Sequence, residues 1–292
     1  MRKIFTTLKS VVATALVAAM TLSVSCSYDD TGLKNEMEQI KVDLAALTER
    51  VAALESKLQG EVDALKALID EAHGLGIAVI MDIVHSHAVK NEMEGLGNFA
   101  GDGSQYFLSG GRREHPAWDS LCFDYGKNEV IHFLLSNCKY WLTEFNLDGF
   151  RFDGVTSMLY YSHGLGEAFG GYGDYFNGRQ DGNAICYLTL ANLLIHEVKP
   201  HAITIAEEVS GMPGLASPFK DGGYGFDYRM AMNVPDYWIK TIKELRDEDW
   251  KPSSIFWELT NRRADEHNIS YAESHDQALV GDKTLVFRLI DS

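Results

Sequence analysis

Positive charge is in short supply in this sequence. Its 292 residues hold 26 Lys and Arg against 42 Asp and Glu, a formal net charge of −16. A surface of that sign repels phosphates, which argues against a nucleic-acid partner and suits a neutral substrate. Cysteine is nearly as scarce. Only Cys122, Cys138 and Cys186 follow Cys26, an odd number at irregular spacing, which excludes a full disulfide framework and matches no metal-site pattern. Free thiols of this kind fit a reducing compartment. Internal repeats and low-complexity tracts are absent. So are long apolar runs, apart from Val11 to Val24, which is too short to span a bilayer comfortably.

That run sits in a segment with the layout of an export signal. Arg2, Lys3 and Lys9 form a basic start, and the run ends in Ser23-Val24-Ser25-Cys26. These four residues resemble the lipobox of bacterial lipoproteins, which implies that Cys26 is lipidated and the protein exported and held at a membrane only through that lipid. The alternative is an ordinary signal peptide with an incidental Cys. Residues 1–26 are therefore expected to be the signal. Residues 27–64 carry a heptad seam of Leu33, Met37, Ile40, Leu44, Leu47, Val51, Leu54 and Leu58, with charged residues between. A narrow stripe of this length predicts a coiled-coil stalk that associates with further copies of itself. Gly60 interrupts the seam and Glu61 falls where an apolar residue is due.

From Leu65 the period changes. Leu65 to His73 reads as a helix stopped by Gly74 and Gly76. Ile77 to Val84, interrupted only by Asp82, reads as a strand buried on both faces. The beat then repeats, with helix 128–145 before strand 148–153 and helix 183–198 before strand 203–208. A strand near 226–231 precedes helical segments around 235–245 and 253–260, and the last strand is placed near 269–274. Alternation at this spacing predicts an α/β fold with about five parallel strands and crossover helices over 65–292.

In such folds the working residues sit at the C-terminal ends of strands. The first end reads Asp82-Ile-Val-His85-Ser86-His87, and the second Gly149-Phe-Arg151-Phe-Asp153-Gly154. The third ends Ile205-Ala-Glu207-Glu208, and the last Glu273-Ser-His275-Asp276. Arg151 and Asp153, two apart on a strand, share a face. Carboxylates, one arginine and histidines meeting at one mouth suit retaining glycosyl transfer: one carboxylate attacks the anomeric carbon while a second, kept protonated, serves the leaving oxygen. Taken singly, His85 and His87 read equally as packing or metal ligands, and Asp148 and Glu208 as structural neighbours, with Glu208 facing away from Glu207.

Together the four segments resemble the signature regions of the alpha-amylase superfamily (glycoside hydrolase family 13), in the form carried by its glucan-branching members. The likeness rests on Asp-Ile-Val-His-Ser-His, Gly-Phe-Arg-Phe-Asp-Gly-Val-Thr-Ser-Met, Ala-Glu-Glu-Val-Ser-Gly-Met-Pro and Ala-Glu-Ser-His-Asp-Gln-Ala-Leu-Val-Gly-Asp-Lys, and continues from about residue 65 onward. It implies Asp153 as nucleophile, Glu207 as general acid/base and Asp276 as transition-state stabiliser. Arg151, His87 and His275 would bind at the cleavage subsite, supported by Asp82. It implies α-glucan as substrate, cut at α-1,4 and rejoined at α-1,6 bonds, and no organic cofactor. Ser86 stands where many amylases place a calcium-associated Asn, so no metal is expected. Trp118, Tyr125, Tyr160 and Tyr172 are candidates for stacking on sugar.

The resemblance also implies an incomplete (β/α)8 TIM barrel, with this chain supplying the third to the seventh strands behind a long N-terminal coiled-coil helix. Compartment, periodicity and barrel completeness all change near residues 60–65, as expected where a lipoprotein stalk joins a fragment of an enzyme whose relatives are cytoplasmic. Alternatives remain at this stage. They are an amylase-like hydrolase, a metal-dependent hydrolase using His-x-His, and a non-catalytic surface lipoprotein with a vestigial enzyme part.

Overall fold

The computed structural model describes residues 31–276 and 283–290. The proposed lipidation site at Cys26, and Gln277 to Asp282 of the fourth motif, lie outside the described residues. Contacts divide the chain into two compact units, one ending at Glu71 and the other running from Ala72. No helix among the described residues is long and apolar enough to cross a membrane.

Helix α1 (Thr31–Gly74) is continuous for 44 residues. It runs unbroken through Gly60, where the apolar seam is interrupted. A glycine with helical neighbours on both sides costs about 1 kcal/mol against Ala, too little to stop a helix carried by Leu, Ala, Glu and Lys on either side. The seam residues Ile40, Leu47 and Leu54 are exposed along α1. The helix ends where predicted, with Gly76 in the left-handed region at φ 74° and the Ile77 amide donating back to the Ala72 carbonyl.

The second unit begins with β1 (Ile80–Ile83), followed by β2 (His87–Val89), β3 (Glu114–His115) and β4 (Ser120–Cys122). Next come α2 (Asn128–Glu144), β5 (Gly149–Phe152), the short α3 (Val155–Leu159), α4 (Gly182–Val198), β6 (Ile203–Ala206) and β7 (Tyr228–Met230). Helices α5 (Asn233–Glu244) and α6 (Pro252–Thr260), β8 (Asn268–Ile269) and α7 (Leu285–Ile290) complete the described elements. Strands β1-β5-β6-β7-β8 form one sheet in that order, and every neighbouring pair is parallel. With helices between them they form an unclosed arc of a (β/α)8-type barrel.

Both ends of the arc differ from the sequence reading. β1 is an edge strand: Ile80 and Val84 are exposed and only Ile83 is buried within it. Its apolar composition, read as burial on both faces, meets a sheet partner only in β5. β8 is two residues long, not six, and residues 271–276 leave the sheet. The segment after β1 also holds a small antiparallel sheet, β2-β4-β3, whose strands are too short to show a period in sequence.

The core lies between the sheet and α2 and α4. Phe150 and Phe152 project to one face of β5 and are fully buried, as are Leu134 and Cys138 of α2 and Tyr187, Leu188, Ala191 and Ile195 of α4. Gly149 allows β5 and β6 to approach, since a Cβ there would lie 2.0 Å from the Ile203 carbonyl oxygen. At the opposite end of the strands from the site, Asp148 accepts from the Val79 amide at 2.7 Å and from Lys199 Nζ at 2.8 Å, and bonds His73 at 2.7 Å. Asp148 is thus structural, as expected. Truncating Phe152 to Ala removes a ring that meets His85, Phe150 and Phe226 edge-on. It is expected to cost about 3–5 kcal/mol, read as a lower urea midpoint at unchanged slope.

Candidate active site

Strand register brings the site together. Asp82 lies beside Arg151 in the β1–β5 pairing, and Arg151 beside Ile205 in β5–β6. Side chains alternate along a strand and align across a parallel pair. Asp82, Arg151, Asp153, Ile205 and Glu207 therefore share one face, while Phe152, Ala206 and Glu208 share the other.

On the first face Arg151 is the hub. Its Nη1 donates to Asp82 at 2.7 and 2.8 Å and to Asp153 Oδ1 at 2.8 Å. Its Nη2 lies 3.1 Å from Glu207 Oε2 and 3.5 Å from Asp276 Oδ2. Four of the predicted carboxylates thus meet one guanidinium, itself 9% exposed. Asp82 and Asp276 face solvent with roughly half of their side chains, whereas Asp153 and Glu207 are largely covered. Burial pushes the Glu207 carboxyl above its ordinary range. Asp153 and Asp276 push the same way, and the Gly154 amide and Arg151 offset this only in part.

Gly154 is a functional position that sequence reading passed over, although it lies within the second motif. Its amide donates to Glu207 Oε2 at 2.8 Å. Its φ of 61° suits glycine, and a Cβ there would meet Ser86 Oγ at 3.0 Å and Trp118 Cη2 at 3.1 Å.

The histidines divide. His85 is core: its ring bonds Tyr187 and Asn137, and burial lowers its pKa to about 4. Since Asn137 Oδ1 can only accept, His85 Nε2 donates to it and Nδ1 accepts from the Tyr187 hydroxyl. His87 lies beside the indole of Trp118, with ring centroids 4.9 Å apart. Burial lowers its pKa and the charge of Asp153 opposes that shift. His275 is more than half exposed and lies 3.2 Å from Asp276; it does not reach Arg151. Among the described residues, no group of three His, Cys, Asp or Glu side chains is placed to hold a metal ion.

Of the four aromatic candidates, Tyr125 and Tyr160 are buried, and Tyr125 donates to the His85 carbonyl at 2.6 Å. They pack the core and cannot stack on a sugar. Tyr172 is exposed on a 3-10 turn. Trp118 is 44% exposed, lies flat on His115 at 3.9 Å with 6° between the planes, and stands beside Gly154. His115, unnoticed in sequence, braces this ring. Burial, then the neighbouring His163 and His87, lower its pKa to about 4.

With this geometry in place, similarity to known proteins is informative. The 1,4-alpha-glucan-branching enzyme of Felis catus is 57% identical over 238 residues, covering 81% of this chain and 34% of that protein. Its counterpart in Rhizophagus irregularis is 54% identical over 237 residues, covering 81% and 35%. The chain thus spans about a third of the length of these curated relatives. An alpha-amylase crystal structure from Anoxybacillus superposes with a TM-score of 0.51 at 15% identity, covering 78% of this chain and 47% of that one, a likeness of fold alone. No family model matches.

His85 sets a pH dependence. The unfolded chain takes up this proton near its ordinary value of 6.5, while the folded site refuses it down to about 4. Stability is therefore full above pH 6.5 and falls as pH drops towards 4. The loss in urea unfolding between these two pH values is expected to be on the order of 3 kcal/mol larger in wild type than in His85→Gln.

Proposed function

Over 81% of its length this chain is homologous to the 1,4-alpha-glucan-branching enzymes, and from that homology and the cluster on Arg151 we propose retaining glycosyl transfer on α-glucan as its function. Asp153, held by the hydrogen bond from Arg151, attacks the anomeric carbon and forms a glycosyl ester as the C1–O4 bond breaks. Glu207, whose burial beside other carboxylates raises its affinity for a proton, gives that proton to the departing O4. It then takes the proton from an incoming sugar 6-hydroxyl, whose oxygen displaces Asp153 and completes an α-1,6 branch. Asp276 stabilises the positive charge that develops on the sugar, and Asp82 supports the subsite by holding Arg151. His87 and His275 supply hydrogen bonds to sugar hydroxyls. The observation that supports this reading is the shared guanidinium, which lies 2.8 Å from Asp153 and 3.1 Å from Glu207; retaining transfer needs its two carboxyls near one another.

Water and a sugar hydroxyl attack the same intermediate, so hydrolysis is the competing outcome. Incubation with amylose is expected to yield α-1,6 anomeric protons in NMR in excess of new reducing ends. Glu207→Gln should lower the rate by about 10²–10⁴-fold, and Asp153→Ala should abolish it. Reducing ends alone would assign a hydrolase, and no product from wild type would leave an enzyme fold without catalysis.

The N-terminal unit serves attachment and self-association in this reading. The basic start and apolar run ending at Cys26 support a lipid anchor on an exported protein. The apolar seam of α1 is exposed at Ile40, Leu47 and Leu54. The flanking charges would complement in a parallel pair, Glu36 facing Lys41 and Arg50 facing Glu55 of the other copy. Sedimentation equilibrium of the chain is expected to show an oligomer that Leu47→Asp returns to monomer.

A further inference from the structure

The strand that carries Glu207 presents, on its other face, a buried ion cluster with no part in the chemistry above. Glu208, Arg229 and Glu266 are 2%, 6% and 5% exposed. Register puts them together: Arg229 lies beside Ala206 in β6–β7 and beside Asn268 in β7–β8, so Glu208 and Glu266, each two residues along, fall on its face. Arg229 Nη2 donates to Glu208 Oε2. Its Nη1 donates to Glu266 Oε2 and to the Met212 carbonyl, both at 2.9 Å.

One buried guanidinium does not neutralise two buried carboxylates, and a second, Arg263, approaches Glu266 only to 3.9 Å. Most of the remaining acceptor capacity is taken by a single loop. Glu208 accepts from the amides of Ser210 at 2.6 Å, Gly211 at 3.0 Å and Met212 at 3.2 Å, and from the Ser210 hydroxyl. Glu266 accepts from the amides of Gly214 at 2.8 Å and Ala216 at 3.3 Å. Arg263 adds a bond to the Gly211 carbonyl at 2.9 Å. The loop from 210 to 216 is thus wrapped around the cluster by its own backbone.

A second set of bonds grips the same segment from the nucleophile's side. Gly154, Val155 and Thr156 act in succession. The Gly154 amide holds the Glu207 carboxylate, and the Val155 amide donates to the Glu207 carbonyl at 2.9 Å. Thr156 Oγ1 accepts from the Val209 amide at 2.8 Å and donates to Glu208 Oε1 at 3.2 Å. Glu207 is therefore fixed between the turn that follows Asp153 and the ion cluster behind it.

Buried ion clusters contribute little net stability, because desolvation offsets most of their attraction. What this one supplies is a defined path for the chain on the C-terminal side of Glu207. We infer that Glu208, Arg229 and Glu266 are positioning residues that hold Glu207 in its covered pose and so maintain it as a proton donor. This rests on the proposed role of Glu207. The groups that face the Glu207 carboxyl, Arg151, Asp153, Asp276 and the Gly154 amide, are untouched by changes in the cluster. A shift in its titration therefore reports its pose.

The test is a carbon-13 NMR titration of the Glu207 carboxyl, assigned by its loss in Glu207→Gln. Wild type is compared with Glu208→Gln, Glu266→Gln and Thr156→Val. Each amide turns an acceptor into a donor against backbone N–H groups, and Val removes only the tying hydroxyl. With the loop loosened, water reaches Glu207, and its midpoint is expected to fall by about half a pH unit or more. On amylose, whose leaving group needs the proton, turnover should drop about tenfold or more. On an α-maltosyl fluoride, whose fluoride needs little protonation, it should drop less than about threefold. An unchanged Glu207 midpoint in folded variants overturns the inference and assigns the cluster a purely structural role. Thr156→Val carries the comparison if the buried amide variants do not fold. A wild type inactive on both donors would instead remove the functional reading, while the titration still decides whether the cluster sets the pose of Glu207.

Discussion

Four carboxylates cannot share one mouth unaided. Asp82, Asp153, Glu207 and Asp276 would repel one another, and covering them would drive protons onto the most buried members. The guanidinium of Arg151, within 3.5 Å of all four, makes the arrangement tenable and also divides it. Asp153 and Asp82 receive its direct hydrogen bonds. Glu207, more covered and facing two other carboxylates, is left with a raised pKa. One cation thus contacts two carboxyls of unequal surroundings, and an unequal pair of this kind is what the retaining glycosyl transfer proposed above calls for.

The surroundings of Arg151 follow from this division. β5 carries the arginine with phenylalanines on its other face, so the sheet is anchored in an apolar core directly behind the charges. β6 carries Glu207 with Glu208 behind it, so here the sheet is backed by ions and loop amides instead. The consecutive grip of Gly154, Val155 and Thr156 links the two strand ends. Asp153 and Glu207 are therefore parts of one hydrogen-bonded unit rather than residues on independent loops.

Much of this was legible in the sequence, and the failures have particular causes. Helices α2, α4, α5 and α6 fell where the apolar period placed them, because each is long enough to show several turns of pattern. The shared face of Arg151 and Asp153, the structural role of Asp148 and the outward turn of Glu208 followed from strand alternation. β1 misled because composition reports what a strand tolerates, and this one sits at an edge. At Gly60 the seam is interrupted while α1 continues: a break in a seam is not a break in a helix. Tyr125 and Tyr160 lie in connecting segments, a position that says nothing about whether the ring faces solvent or core.

By itself, the sequence determined the order of helices and strands, the residues at each strand end and the homology to branching enzymes. These are properties of neighbouring positions, and local periodicity and motif identity carry them. Only the tertiary structure decided that Arg151 reaches four carboxylates, that Glu207 lies against Gly154, and that Trp118 stands on His115 beside them. It alone also joined Glu208 to Arg229 and Glu266. Most of these depend on atoms brought together across tens of residues, and all depend on burial, which is a property of the folded chain.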